Sequence, residues 1–191
     1  MPAAHSPAAD SSTTTARPVT DGTVPQAGTI LTHPVHGPVR VLSVRSRRVR
    51  GTATRYVELE VIGQSMRIAI PLGHSEDEGL RDLLAEDQIE DVLDQLAQPS
   101  PPAPARKETW ARRMKQLQMR AQSRSLTERV GVVRQILRES GEVPKSLAER
   151  QLLHSALAPL AAEISIARGI DADQARSLLV DAALAGHTQA A

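Results

Sequence analysis

The chain has 191 residues, of which 40% are hydrophobic, 24% charged and 1% aromatic, with a net charge of +1 and no cysteine. That is enough for one large or two small domains around an aliphatic core. The lack of cysteine excludes disulfides, thiolate metal sites and cysteine nucleophiles and fits a reducing cytoplasm. No stretch reaches the roughly 20 apolar residues of a membrane span, and the N-terminus lacks a signal-peptide run, so a cytoplasmic protein with no membrane partner is expected.

The neutral total hides blocks of opposite sign. Residues 40–55 hold six arginines and no acid, residues 76–94 hold nine acids against Arg81 alone, and residues 106–138 hold ten lysines or arginines against Glu108 and Glu128. Such blocks suggest distinct electrostatic faces for distinct partners, although each is equally consistent with a solvated surface.

In chain order, residues 1–26 are rich in Ala, Ser, Thr and Pro without apolar periodicity, the composition of a disordered tail. Residues 27–97 begin with short β-like runs at Thr29–Thr32, Val39–Val44, Tyr56–Ile62 and Met66–Ile70, punctuated at Pro34, Gly37-Pro38, Gly51 and Gly63. Four or five short strands predict a small bent antiparallel barrel of SH3-like or Tudor-like type. Ile89, Val92, Leu93 and Leu96 follow at helical spacing with acids between them, which predicts an amphipathic helix closing that barrel. Residues 98–107 are Pro-rich and read as a stiff linker.

Residues 108–186 read as helical, with a short tail at 187–191. Thr109, Ser125 with Glu128, Ser146 with Glu149, and Asp171 with Gln174 supply start signals, and Gly141, Pro144 and Gly169 supply stops. Four helices are predicted at about 110–123, 126–139, 146–168 and 172–185. Pro159 removes a backbone donor from the third and predicts a kink. The overall class is α+β: a β-barrel unit followed by an all-α bundle.

Within this arrangement Trp110, the only tryptophan, stands next to Arg112, Arg113 and Lys115. A large ring beside cations suits nucleic acid; the plainer reading is a half-buried ring that staples its helix to the bundle. His33, His36 and His74 lack the spacing of a helical metal pair and have no obvious carboxylate partner, so no metal is expected. Neither a P-loop, a nucleotide-binding Gly pattern, an elbow serine nor a His-Glu-x-x-His motif is present, so the chain is read as neither an enzyme nor a cofactor binder.

The order of parts resembles the CarD family of bacterial transcription regulators, and several residue runs carry the likeness. Gly28-Thr29 with His33-Pro34-Val35-His36-Gly37 looks like the family's opening "GD…YPxHG". Arg50-Gly51 with Tyr56-Val57-Glu58-Leu59 resembles "KG…YLVL", and Ile70-Pro71 and Gly79-Leu80-Arg81-Asp82 resemble "VP" and "GVRD". Trp110-Ala111-Arg112-Arg113-Met114-Lys115 resembles "WSRRYK". The resemblance implies an N-terminal domain that grips the RNA polymerase β subunit and a helical domain that touches promoter DNA at the upstream edge of the melted bubble. By position it makes Trp110 a minor-groove wedge, puts Arg112, Arg113 and Lys115 on the phosphate backbone, and turns Arg47, with Arg48, Arg50 and Arg67 nearby, toward the polymerase.

The chain departs from the pattern at Ala69, where the family has a second polymerase-facing arginine, with Arg67 two residues earlier on the same strand face. It also has Met114 and His33 where the family has tyrosines, and Pro159 where the family continues a helix. These features fit a divergent paralogue. The expectation is a monomeric, nucleoid-associated regulator that stabilises the open promoter complex; the alternative is a polymerase- or protein-binding adaptor that does not engage DNA.

Overall fold

A computed structural model describes residues 24–49, 51–72, 79–99, 109–140 and 142–188. The N-terminal tail as far as residue 23, Arg50, His74, Gly141, the last three residues and most of the Pro-rich link therefore lie outside the described residues.

Five strands form one antiparallel sheet: β1 (Ile30–His33), β2 (Gly37–Val49), β3 (Thr52–Val61), β4 (Arg67–Pro71) and β5 (Arg81–Asp82), in the order β4-β3-β2-β1-β5. Alternation sorts its faces, because successive strand residues point to opposite sides. Leu31, Val39, Val41, Val57, Leu59, Val61, Ile70 and Leu80 bury one face as a small aliphatic core. Gly37, the first residue of β2, adopts φ +74°, a left-handed conformation that costs a Cβ-bearing residue strain. A bulge between Val41 and Ser43 shifts the register of the β2–β3 ladder. Beyond Val44 and Tyr56 the two strands continue as a two-stranded ribbon to the pair Val49–Thr52, with no third strand beside them among the described residues.

The α+β class holds, and the expected SH3-like or Tudor-like barrel is not confirmed by this topology. Among the described residues the sheet is open, with β4 and β5 as its edges and no ladder joining them. The two-residue strand β5, which sequence patterning missed, pairs with β1 instead.

Five helices follow: α1 (Glu86–Ala97), α2 (Trp110–Ala121), α3 (Leu126–Ser140), α4 (Leu147–Arg168) and α5 (Ala172–Thr188). The expectation that α1 closes the barrel is corrected. Ile89, Val92 and Leu96 enter the helical core together with Val133, Ile136, Leu137, Leu160, Ile164 and Leu179, and α1 packs on α5 and α3. Its apolar stripe faces the helical core, and the helix that lies against β2 is α4.

The local start signals behave as their chemistry requires. The Glu128 amide donates to Ser125 Oγ, the Glu149 amide donates to Ser146 Oγ, and Asp171 and Gln174 cap one another reciprocally. Thr109 is the exception: it stands at the N-cap in an extended conformation, but its side chain makes no capping bond. Gly169 ends α4 in the left-handed conformation. α4 runs unbroken through Pro159, whose ring lies against Gly37: a Cβ built at that glycine would fall 3.1 Å from Pro159. α5 extends three residues beyond the predicted end.

Candidate functional site

α2 is held by a thin apolar stripe. Met114, Leu117 and Ala121, at spacings of three and four, face the helical core, and only Leu117 is fully buried. Trp110 is the first helical residue and begins that same stripe one turn earlier, where the core has ended. The ring is 55% exposed. It does not staple the helix to the bundle, and a large apolar ring stands out into solvent at the entry of the helical unit.

The neighbouring cations divide into two kinds. Arg112 and Lys115 are exposed, on the side of α2 turned away from the core. Arg113 is turned inward: it pairs with Glu139 of α3 through Nη1 and with Glu149 Oε1 of α4 through Nη2 at 2.5 Å, and its Nε is buried without a partner. This guanidinium ties α2 to α3 and α4. Its sequence-expected place on the DNA backbone competes with two carboxylates that already hold it.

Three further arginines of the basic block are also bonded within the protein. Arg120 pairs with Glu128 at 2.5 Å and donates to Gln135. Arg134 donates to the Gln95 carbonyl, and Arg138 donates to the carbonyls of Leu96, Gln98 and Ala183. Gln95, Leu96 and Gln98 stand at the C-terminal end of α1, where helix carbonyls lack partners within the helix, and two arginines from α3 satisfy them, while the Arg138 bond to Ala183 reaches α5. Much of the positive charge that suggested a nucleic-acid face is internal bonding. At the acidic end, Arg168 of α4 pairs with Glu86 and Glu90 of α1.

A second candidate surface is the open face of the sheet. Ser43, Arg45 and Arg47 on β2, Tyr56, Glu58 and Glu60 on β3, and Arg67 and Ala69 on β4 share it through their registers. Glu58 accepts from Ser43 Oγ at 2.9 Å and lies 3.3 Å from Arg45 Nε and 3.2 Å from Arg47 Nη2, while Arg67 lies 3.8 Å from Glu60. All three arginines are mostly exposed, so these pairs are loose solvated contacts. The structure brings Arg47 and Arg67 onto one face, with Ala69 between Arg67 and the edge residue Pro71. Arg48, one residue after Arg47, points to the other side of the ribbon.

Sequence reasoning missed the seam where sheet and helices meet. Glu163 of α4 is 1% exposed and accepts from Thr32 Oγ1 at 2.9 Å, from Arg81 Nη1 and Nη2 at 2.5 and 2.8 Å, and from the Leu84 amide at 3.0 Å. Arg129 of α3 is buried nearby, and desolvation together with Arg81 lowers its pKa while Glu163 opposes that shift. His33 closes the cluster. Its Nδ1 accepts from the amides of Val35 and His36 at 3.1 and 3.3 Å. Burial, then His36, Arg129 and Arg124, lowers its pKa to about 4, so the ring is neutral at pH 7. With Nδ1 used in this way, His33 braces the β1–β2 turn, and its ring lies 4.8 Å from that of His36. No group of three His, Cys, Asp or Glu side chains among the described residues could hold an ion. No described helix is long and apolar enough to cross a membrane.

Residues 91–180 match the family model of the CarD C-terminal domain. The match begins within α1 and ends within α5, so it takes in the last part of the acidic helix together with Trp110 and the bundle, in agreement with the core those helices share. Over that span the chain is similar to the CarD C-terminal domain.

Proposed function

We propose that the chain is a transcription regulator of the CarD family that docks on the RNA polymerase β subunit through the open face of its sheet and favours melted promoter DNA through Trp110. The observation that carries the reading is the exposure of Trp110: a single large ring, 55% accessible, at the first turn of a helix whose own stripe it extends. Such a ring has an apolar surface to lose by entering a base step, where it offsets part of the few kcal/mol that unstacking costs. Arg112 and Lys115 lie beside it and supply the phosphate contacts. Arg113 serves chiefly as a positioning residue that fixes the angle of α2. Arg45, Arg47 and Arg67 form the polymerase-facing patch, with Arg67 supplying the charge that Ala69 does not.

The test is the lifetime of an open promoter complex formed by bacterial RNA polymerase, with and without the protein. The wild type lengthens that lifetime. Trp110→Ala abolishes the effect while still co-purifying with polymerase, because a protein shifts the melting equilibrium only by its differential affinity for the melted state. Equal effects of the wild type and Trp110→Ala would remove the wedge from the mechanism. Retained polymerase binding with no effect of either on lifetime would favour an adaptor that leaves DNA alone.

A further inference from the structure

A cleft of about 420 Å³ opens where the β1–β2 turn meets α2, α3 and α4. Val35, Met114 and Leu152 give it apolar walls, Gln118 and Gln151 stand at its sides, and Arg129 lines it from α3. Arg129 is 5% exposed, and its Nε is buried with no hydrogen-bond partner among the described residues. A buried guanidinium without partners is rare, because losing hydration is costly unless an anion replaces it.

The surroundings do not supply that anion. Among the described residues Glu163 is the one carboxylate that offsets the charge of Arg129, and both of its oxygens are taken by Arg81, with Thr32 and the Leu84 amide on Oε1. Arg81 lies close enough to repel Arg129, and His33, which faces Arg129 and Arg124, is neutral. The seam therefore carries more positive than negative charge at the floor of a half-enclosed cleft with apolar walls.

We propose that this cleft binds a small organic anion, its carboxylate or phosphate head on the Arg129 guanidinium and its apolar body between Val35, Met114 and Leu152. A planar guanidinium is suited to either head, since both offer two oxygens to its parallel N–H groups. The occupant touches the sheet unit through Val35 and the helical unit through α2, α3 and α4, so it ties together the two parts that the proposed function uses. The site does not depend on that function.

Methionine methyl NMR on the full chain reads the cleft directly, because Met114 lines it while Met66 and Met119 are exposed elsewhere. Octanoate and octyl phosphate are the anionic probes, and octanol is the neutral one. Both anions are expected to shift the Met114 methyl signal and leave those of Met66 and Met119 in place, with octanol weaker by roughly tenfold or more. The tighter anion identifies the head group. Arg129→Met is expected to remove the preference for anions. Gln151→Trp, at an exposed position on α4, keeps the fold and blocks the cleft, which guards against a folding failure of the first variant. A silent Met114 signal up to about 10 mM of every probe, octanol binding as tightly as octanoate, or binding unchanged by Gln151→Trp would each overturn the proposal.

Discussion

Glu163 shows how much a single side chain can hold. Its carboxylate is the common acceptor for a strand hydroxyl, a bidentate arginine and a loop amide, drawn from β1, β5 and the entry to α1. Removing one partner from a buried ion pair costs about 3–5 kcal/mol, because the remaining charge stays desolvated. Glu163→Gln keeps the shape and loses the charge, leaving the partly buried Arg81 and the buried Arg129 without that anion. The expected outcome is a loss of about 3 kcal/mol in urea-unfolding free energy. A midpoint unchanged from wild type would mean that water replaces the carboxylate at no cost. The sequence marks this residue only faintly: position 163 falls on the flank of the stripe defined by Leu157, Leu160 and Ile164, where an acid is out of place. Its partner Arg81 lies 82 residues upstream. No local pattern connects positions so far apart, whereas the exposed Trp110 could be singled out because it is unique in composition and begins a helix.

At the scale of elements, the helices were readable because their boundaries are chemical and local. Ser125, Ser146 and Asp171 each cap within three residues of themselves, so the start of a helix is written where it occurs. The sheet was only half readable. The glycines at 37, 51 and 63 mark its turns through positive φ, but whether the sheet closes depends on pairings between distant strands, and the two residues of β5 are too few to show periodicity. The direction of the arginines was not readable at all, because an arginine bound to a carbonyl and one facing solvent have the same spacing. Arg138 illustrates the difference: it donates to the last carbonyls of α1 and to α5. Arg138→Met keeps the aliphatic stem and removes those bonds, and hydrogen bonds to charged groups contribute about 1.5–3 kcal/mol each before compensation by water. The variant is expected to lose about 2 kcal/mol of stability. The salt dependence of any DNA affinity is expected to stay as in the wild type, since this cation does not meet phosphate. A shallower salt slope, measured by fluorescence anisotropy, would instead return Arg138 to the nucleic-acid surface.

The whole molecule has two aliphatic cores, one under the sheet and one within the helices, and its seam is polar. Conditions that charge the seam should therefore act on the joint before they act on either core. His33 is the group poised to do so: it is 9% exposed, uses Nδ1 as an acceptor for two turn amides, and has a pKa lowered from 6.5 to about 4 by burial, His36, Arg129 and Arg124. The unfolded chain binds a proton near pH 6.5 and the folded chain resists it until about pH 4, so between those values the unfolded state carries more protons. Stability is thus complete above pH 6.5 and declines as the pH falls toward 4, by at most about 3 kcal/mol from this residue. Carboxylates also titrate at the lower end of that window, which makes a paired comparison necessary. His33→Asn offers a short side-chain oxygen that can accept from the same turn amides without titrating. The urea midpoint of the wild type is expected to fall more steeply than that of His33→Asn between pH 7 and 4.5. The gap should open below pH 6.5, and tertiary contacts between β1 and α4 should loosen first in hydrogen exchange. Parallel midpoint curves would show that His33 carries no proton-linked strain and that the seam is held by Glu163 and Arg81 alone.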